Sequence, residues 1–358
     1  MKFHIGPKTV GKDFSCFVIA EAGVNHNGDI KVAKQLIDAA VYAKADAIKF
    51  QIVKADSLYV KDAGKFKTDY GDEFDIHEVW KNVEVNEQWL QELSKYCHEK
   101  NIIFLSSVFD EEGADKADLY MDAYKVASSE LTHIPLLKHI AKKAKPIIIS
   151  TGGATLDEII EAVNCIYSTG NKNLAILYCV VKYPTPLAEA NILALDSLKK
   201  QFPNVVIGYS DHSLNPVKVP AAAVANGAKI IEKHFTISRN LSGIDHKMSL
   251  EPDELKQMVD AIRNAEKSSL NIDKKLLGDG KIDRFDSAEV MKFVRRKLFV
   301  VKPLVHGQEF TRENLKVLRP GNRNELPGVH PREYENIIGM KATKSLPANH
   351  MLDLEDVA

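Results

Sequence analysis

An α/β fold, a (β/α)8 TIM barrel followed by a small second domain, is predicted by three features of the 358-residue sequence. Eight short apolar runs recur between residues 17 and 235, helical repeats separate them, and the pattern breaks after about residue 270. Strand-helix units repeated eight times in about 250 residues are what such a barrel requires.

The runs are FVIAE (17–21), AIKFQ (47–51), IIFLSSV (102–108), AYKVAS (123–128), PIIIST (146–151), LAILYCV (174–180), VVIGYS (205–210) and KIIEKHF (229–235). Their apolarity is continuous rather than alternating, which implies burial on both faces, as in a parallel sheet covered by helices. After the first run, DIKVAKQLIDAAVYA places Val32, Ala33, Leu36, Ile37, Ala40 and Val41 at helical spacing behind an Asp29 cap. In TLDEIIEAVNCIY, Thr155 and Glu158 have the spacing of a capping box. SLEPDELKQMVDAI supplies a helix after the eighth run, with Leu255, Met258, Val259 and Ile262 on its inner face. A doubly wound open sheet is the alternative, but no GxGxxG follows the first run.

Two stretches depart from the repeat. Ile52 to Val85 far exceeds the usual strand-to-helix connection and reads as a lid or substrate wall. NIDKKLLGDGKIDRFDSAE is polar and bears Gly and Asp, and KLFVVKPLVHGQEFTRENLKVLRPG then reads as short strands, turns and a small helix. The organisation is therefore a barrel over 1–270, a linker over 271–292 and a second domain over 293–358. That domain contains a faint internal echo, GQEFTRENLKV against ANHMLDLEDV.

Forty-eight Lys and Arg balance 49 Asp and Glu for a net charge of -1, and the charges are interspersed, which argues against nucleic-acid and membrane partners. Cys16, Cys97, Cys165 and Cys179 form no CxxC pair and read as reduced thiols. MKFHIGPKTVGKDF lacks the apolar centre of a signal peptide, and no stretch is apolar over the roughly 18 residues that span a membrane, so a cytoplasmic protein is expected.

In a barrel of this kind the reactive groups lie at the carboxyl ends of the strands. Here those ends are crowded with polar residues: Glu21, Lys49 and Gln51, Ser106 and Ser107, Lys125, Ser128 to Glu130, Ser150 and Thr151, Lys182 and Tyr183, Ser210 to His212, and Glu232 with His234. Period-two alternation sets Ser210 and His212 on one face of strand seven, and Glu232 and His234 on one face of strand eight. Neighbouring strands can then aim two imidazoles at one point, a donor pair suited to Mn²⁺ or Mg²⁺ with water or substrate completing the shell. A single histidine ending an apolar run is ordinarily a core residue, and only the pair argues for metal. His26, in NHNGD, reads equally well as part of a turn. Lys49 and Lys125 with Ser107, Ser128 and Ser210 make a pocket for a phosphate and a carboxylate. A Schiff-base lysine is the competing reading.

These residues fall in IAEAGVNHNGD, ADAIKFQ, YKVASSE, IIISTGGA, YPTP, GYSDHS, IIEKHF with GIDHKMSLEPDEL, and RPGN. Together and in order, over nearly the whole chain, they resemble the sialic acid synthase family, the phosphoenolpyruvate-dependent nonulosonate synthases. The resemblance implies that the small domain is an antifreeze-like β-clip (SAF) domain reaching over a partner's barrel in a domain-swapped homodimer. It implies that His212 and His234 hold the divalent metal ion and that Lys49, Ser107, Lys125, Ser128 and Ser210 hold phosphoenolpyruvate. Gln51, Glu130, Tyr183, Asp245 and Arg319 would line the amino-sugar site, with Arg319 coming from the other subunit. Glu21 and Glu130 are the acid-base candidates, and Lys49 would neutralise charge in the transition state. N-acetylmannosamine is the favoured sugar, giving N-acetylneuraminate; a 2,4-diacetamido-trideoxyhexose, giving legionaminic or pseudaminic acid, is the alternative. Where family members often carry Asn or Ser before the YPTP tyrosine, this chain reads Val180, Val181 and Lys182.

Overall fold

The computed structural model describes residues 1–67, 71–267, 270–283, 288–323 and 328–358. Each apolar run becomes one strand of a closed barrel: Phe17–Gly23, Ala47–Ile52, Ile103–Val108, Tyr124–Val126, Ile147–Ser150, Leu174–Cys179, Val206–Asp211 and Ile230–His234. The strands follow one another around the barrel in chain order, and every neighbouring pair is parallel. Helices cover the outside, among them Ile30–Tyr42 capped by Asp29, Leu156–Ser168 closed by the Thr155–Glu158 capping box, and Pro252–Ala265 with Leu255, Met258, Val259 and Ile262 buried.

Alternation along the strands sorts the barrel interior into layers. Ile19, Leu105, Ile148, Leu177, Val206 and Ile230 form the lower, apolar fill. Gly208 belongs to the same interior: a Cβ there would come within 2.4 Å of the Ile230 carbonyl oxygen and 2.6 Å of Leu177 Cδ2. Below them an antiparallel hairpin, Lys2–Ile5 with Lys8–Gly11, plugs the floor with Phe3, Ile5 and Val10. Two residues above the apolar fill the inward side chains become charged or polar on six strands, at Glu21, Lys49, Ser107, Lys125, Ser150 and Glu232; the sixth strand has Cys179 there, and the seventh reaches Ser210 only after Gly208.

The stretch from Ile52 to Val85 is built, not loose. It contains helices Ala55–Leu58 and Ile76–Lys81 and a hairpin of Lys65–Lys67 and Glu73–Asp75. Phe66 stacks on Phe74 and leans on Phe293. Lys247 bonds Asp72 at 2.6 Å, tying this wall to the connection beyond strand eight. Residues 68–70 of the wall lie outside the described residues.

After the barrel the linker stays on its surface: helix Lys274–Leu277 buries Leu276 in the barrel core, and Leu276 and Leu277 carbonyls accept from Ile192 and Leu193. Residues 284–287 of the linker and 324–327 of the small domain are outside the described residues. Helix Ala288–Val294 then crosses the barrel mouth and leads into a sheet whose central strand, Lys297–Val300, pairs antiparallel with both Leu315–Leu318 and His350–Met351. The two stretches of the internal echo thus place their strands on opposite edges of one central strand. No helix among the described residues is long and apolar enough to cross a membrane.

Candidate active site

The upper layer of the barrel forms the floor of a cavity of about 200 Å³ at the carboxyl ends of the strands. Lys49 bonds Ser107 Oγ at 2.8 Å and Glu21 at 2.7 Å. Lys125 bonds Ser150 Oγ at 2.7 Å and the Val126 carbonyl at 3.0 Å. Between the two ammonium groups sits Glu232, 3.8 Å from Lys49 and 3.6 Å from Lys125, accepting from Ser210 Oγ at 3.1 Å. The ladder dictates this grouping: Glu21 is in register with Lys49, Ser107 with Lys125, and Ser210 with Glu232. Two buried ammonium groups are set against two carboxylates in this layer. Glu232 Oε2, 3.8 Å from Lys49, carries no hydrogen bond among the described residues, so the layer is under-satisfied.

Burial raises the Glu21 carboxyl to about 7; Lys49 opposes that shift and Glu232 adds to it. Burial acts on Glu232 in the same sense, but Lys125 and Lys49 overcome it and hold that carboxyl below the usual range. Equivalent residue types on adjacent strands therefore differ in protonation because of their neighbours.

His212 and His234 converge as the strand alternation requires, with ring centroids 5.5 Å apart. His212 Nδ1 donates to the Val180 carbonyl at 2.9 Å, which leaves the lone pair on Nε2. Burial, then the positive field of His212 and the lysines, pushes His234 well below its ordinary value, so its ring is neutral. Its buried Nδ1 has no hydrogen-bond partner among the described residues, and the nearest carboxylate oxygen, Asp245 Oδ2, is 3.8 Å away. Against burial, Cys179 and the Val180 carbonyl raise the His212 pKa, so its ring must give up a proton before it can bind a cation; with that proton gone, one imidazole oriented by a carbonyl and one neutral imidazole with an orphaned nitrogen fit an open two-histidine metal site. Among the described residues no cluster of three or more His, Cys, Asp or Glu is arranged as a closed metal cage.

The outer cavity holds Gln51, Tyr183, Asp245 and Arg319, and Ser128 lines the same cavity lower down, where its Oγ accepts the Gly152 N–H at 3.0 Å. Gln51 donates to Glu21 at 3.1 Å, Tyr183 lies 4.4 Å from the His212 ring, and burial lifts the Asp245 carboxyl to about 6 against the pull of His212 and Lys49. Asp245 is brought in by a polar pin beneath it: His246 bonds Thr236 Oγ1 at 2.7 Å and Asn27 Oδ1 at 3.1 Å. Arg319 is delivered by the chain's own small domain, whereas the resemblance brings it from a second subunit. Its backbone is fixed to the barrel's wall by Val60 N–H to the Arg319 carbonyl at 3.1 Å and Arg319 N–H to the Leu58 carbonyl at 2.9 Å.

Glu130 does not line this cavity. It is fully buried between Arg296, whose Nε donates to Oε2 at 2.7 Å, and Arg319, whose Nε and Nη2 reach Oε1 at 3.1 and 2.5 Å. Burial alone would raise its carboxyl, yet the two guanidinium groups hold it below the usual range. Glu130 is built as a fixed anion rather than a proton carrier.

Some features escaped the strand-end reading. Cys179 lines the cavity with its thiol 3.8 Å from His212 Nδ1, and Val181 and Met291 join it in an apolar patch flanked by Tyr183 and Val294. Trp80 comes from the wall after strand two. Lys182 turns away to Glu189 at 2.8 Å and does not replace the polar group missing at Val181. His26 is buried against Phe50 and Trp89 outside the cavity, its pKa lowered to about 4 by burial. The run IIEKHF pointed to Glu232; nothing local pointed to Arg296.

Residues 36–274 match the family model described as the NeuB family. The chain belongs to that family. Residues 295–358 match the SAF domain, the small domain over the mouth. The chain is 44% identical to the spore coat polysaccharide biosynthesis protein SpsE of Bacillus subtilis, covering 99% of this chain and 97% of the relative. The crystal structure of that Bacillus subtilis protein superposes with a TM-score of 0.89 at 42% identity, covering 100% of this chain and 99% of the other. The chain is also 40% identical to the N,N'-diacetyllegionaminic acid synthase of Campylobacter jejuni, over 94% of this chain and 98% of the relative.

Proposed function

We propose that the protein condenses phosphoenolpyruvate with the open-chain aldehyde of an N-acylated hexosamine, forming a nonulosonic acid and inorganic phosphate. The observation that carries this reading is the layer of Lys49, Lys125 and hydroxyl side chains beside the His212–His234 pair in one cavity. Cations and hydroxyls suit a ligand bearing both phosphate and carboxylate. The methylene carbon of phosphoenolpyruvate attacks the aldehyde carbon, water adds at the enol carbon, and phosphate departs from that carbon to leave a 2-keto acid.

Lys49 and Lys125, with Ser107, Ser128 and Ser210, would bind the anionic groups and follow their charge as it moves to the leaving phosphate. When bound at His212 and His234, a divalent ion such as Mn²⁺ or Mg²⁺ supplies Lewis-acid polarisation of a carbonyl oxygen. Glu21, with its carboxyl lifted to about 7, is the group suited to exchange a proton near neutral pH. Gln51, Tyr183, Asp245 and Arg319 would orient the sugar, and Glu130 takes no part in proton transfer.

For the acceptor, the names of the Campylobacter jejuni and Legionella pneumophila relatives, both N,N'-diacetyllegionaminic acid synthases, support a sugar with two acetamido groups. A 2,4-diacetamido-trideoxyhexose is therefore preferred to N-acetylmannosamine, the sugar favoured by sequence.

The test is phosphate release from phosphoenolpyruvate with Mn²⁺ and each candidate sugar in turn. The diacetamido sugar is expected to give the highest kcat/KM; no release with any of them would end the proposal. Borohydride in the presence of keto acid should trap no adduct on Lys49 or Lys125, in contrast to a Schiff-base aldolase.

A further inference from the structure

Helix Ala288–Val294 ends at two consecutive arginines whose side chains diverge, Arg295 to Glu158 and Arg296 to Glu130. Arg295 places its guanidinium across Glu158, with Nη1 to Oε1 at 2.6 Å and Nη2 to Oε2 at 2.8 Å, and donates from Nη2 to the Gly153 carbonyl at 2.6 Å. Glu158 is already the closing member of the Thr155 capping box. Arg295 therefore fixes the two ends of the turn between strand five and its helix.

That turn, Thr151 to Ala154, carries little side chain with which to hold its own shape. It presents the Gly152 N–H to Ser128 Oγ at 3.0 Å, and a Cβ at Gly152 would meet Val181 Cγ2 at 2.3 Å. The close approach sets Ser128 at the lysine-bearing end of the cavity. A bidentate fork on Glu158 is a geometric constraint that a point charge cannot reproduce.

Arg296 points the other way and is 1% exposed. Besides Glu130 it donates to the carbonyls of Ser57 at 2.6 Å, Val317 at 2.9 Å and Phe109 at 2.8 Å. With Oε2 of Glu130 engaged by Arg296, Oε1 is left to Arg319, which also bonds Ser129 Oγ at 2.6 Å and lies 5.4 Å from the Tyr59 and Phe109 rings. The orientation of Arg319 over the outer cavity thus depends on a residue that does not enter the cavity.

We infer that Arg295 and Arg296 are positioning residues with divided tasks: Arg295 shapes the turn that serves the anionic donor, and Arg296 sets Glu130 and through it Arg319 for the acceptor. The inference rests on the proposed reaction for the names donor and acceptor, but the positioning itself is a statement about two separate segments. If the arginines only glued the small domain to the barrel, both would affect both substrates alike.

The experiment compares full-length protein with Arg295→Lys and Arg296→Lys, which keep the charge and lose the fork. Arg295→Lys is expected to raise KM for phosphoenolpyruvate about tenfold and KM for the sugar less than about twofold; Arg296→Lys should do the reverse. Amide hydrogen exchange should quicken at 151–158 only in the first variant and at 128–133 only in the second. Equal movement of both KM values, or exchange that changes in both segments or in neither, overturns the inference. If wild-type protein releases no phosphate with any sugar, the reaction is wrong, and the exchange pattern alone still decides the positioning. Should Arg296→Lys fail to fold, the double variant Glu130→Gln, Arg296→Gln removes the Arg296–Glu130 pair, leaves Arg319 without its anion, and is held to the same acceptor-side outcome.

Discussion

His234 and His26 are both buried histidines beside polar loops, and their surroundings separate them. His26 packs its ring against Phe50 and Trp89 and accepts the Gly28 N–H at 3.1 Å. His234 faces His212 with an Nδ1 that nothing among the described residues engages. Removing a ring whose buried Nδ1 makes no hydrogen bond among the described residues should cost about 1 kcal/mol, a shift of a few degrees in Tm. His234→Ala is therefore expected to abolish Mn²⁺ binding in calorimetry while unfolding within about 4 °C of wild type. Unchanged Mn²⁺ binding would remove the ion from this site. The same contrast holds for the carboxylates: Glu21 and Glu130 look alike at strand ends in the sequence, and only the partners, one lysine against two arginines, distinguish a proton carrier from a fixed anion.

Among the elements, the barrel strands were the most legible, because a strand covered by helices must be apolar on both faces and so announces itself as a continuous run. The change to polar groups at Lys49, Lys125, Ser210 and Glu232 is equally local, and so was readable. The floor was missed. KFHI and KTVG are short and half polar, with Gly6 and Pro7 between them, and become a hairpin only against a barrel that closes around Phe3, Ile5 and Val10. Ile5 is fully buried there, so Ile5→Ala should lower the unfolding free energy by ~2–5 kcal/mol, read from the denaturant midpoint at constant slope. A loss below ~0.5 kcal/mol would mean that the hairpin is an ornament rather than the base of the barrel.

Across the whole molecule, the small domain is held to the barrel through buried charge, which makes its docking sensitive to acid in a defined direction. Glu130 has its folded pKa below the unfolded carboxylate value of about 4.3, so the stabilisation it gives is complete above that value and is lost as pH falls through the folded one. Docking followed by hydrogen exchange at 128–133 should stay level from about pH 8 to about pH 5 and fail only below about pH 4. Glu130→Gln should weaken it at every pH by ~3–5 kcal/mol, since two buried guanidinium groups lose their anion. Loosening of the wild type between about pH 6 and pH 7 would contradict this account. None of it was legible from local sequence: Glu130 and Arg296 stand far apart in the chain, and RR before an apolar strand reads as a solvated pair until the fold brings it inside.

The cavity takes its first residue from Glu21 and its last from Arg319. A growing chain therefore owns the lysine floor and both imidazoles well before it owns the guanidinium over the outer cavity. Domains fold as they emerge, in order from the amino end. Docking of the small domain is thus the step that completes the cavity, since Arg319 alone of its polar outer residues is encoded after the barrel.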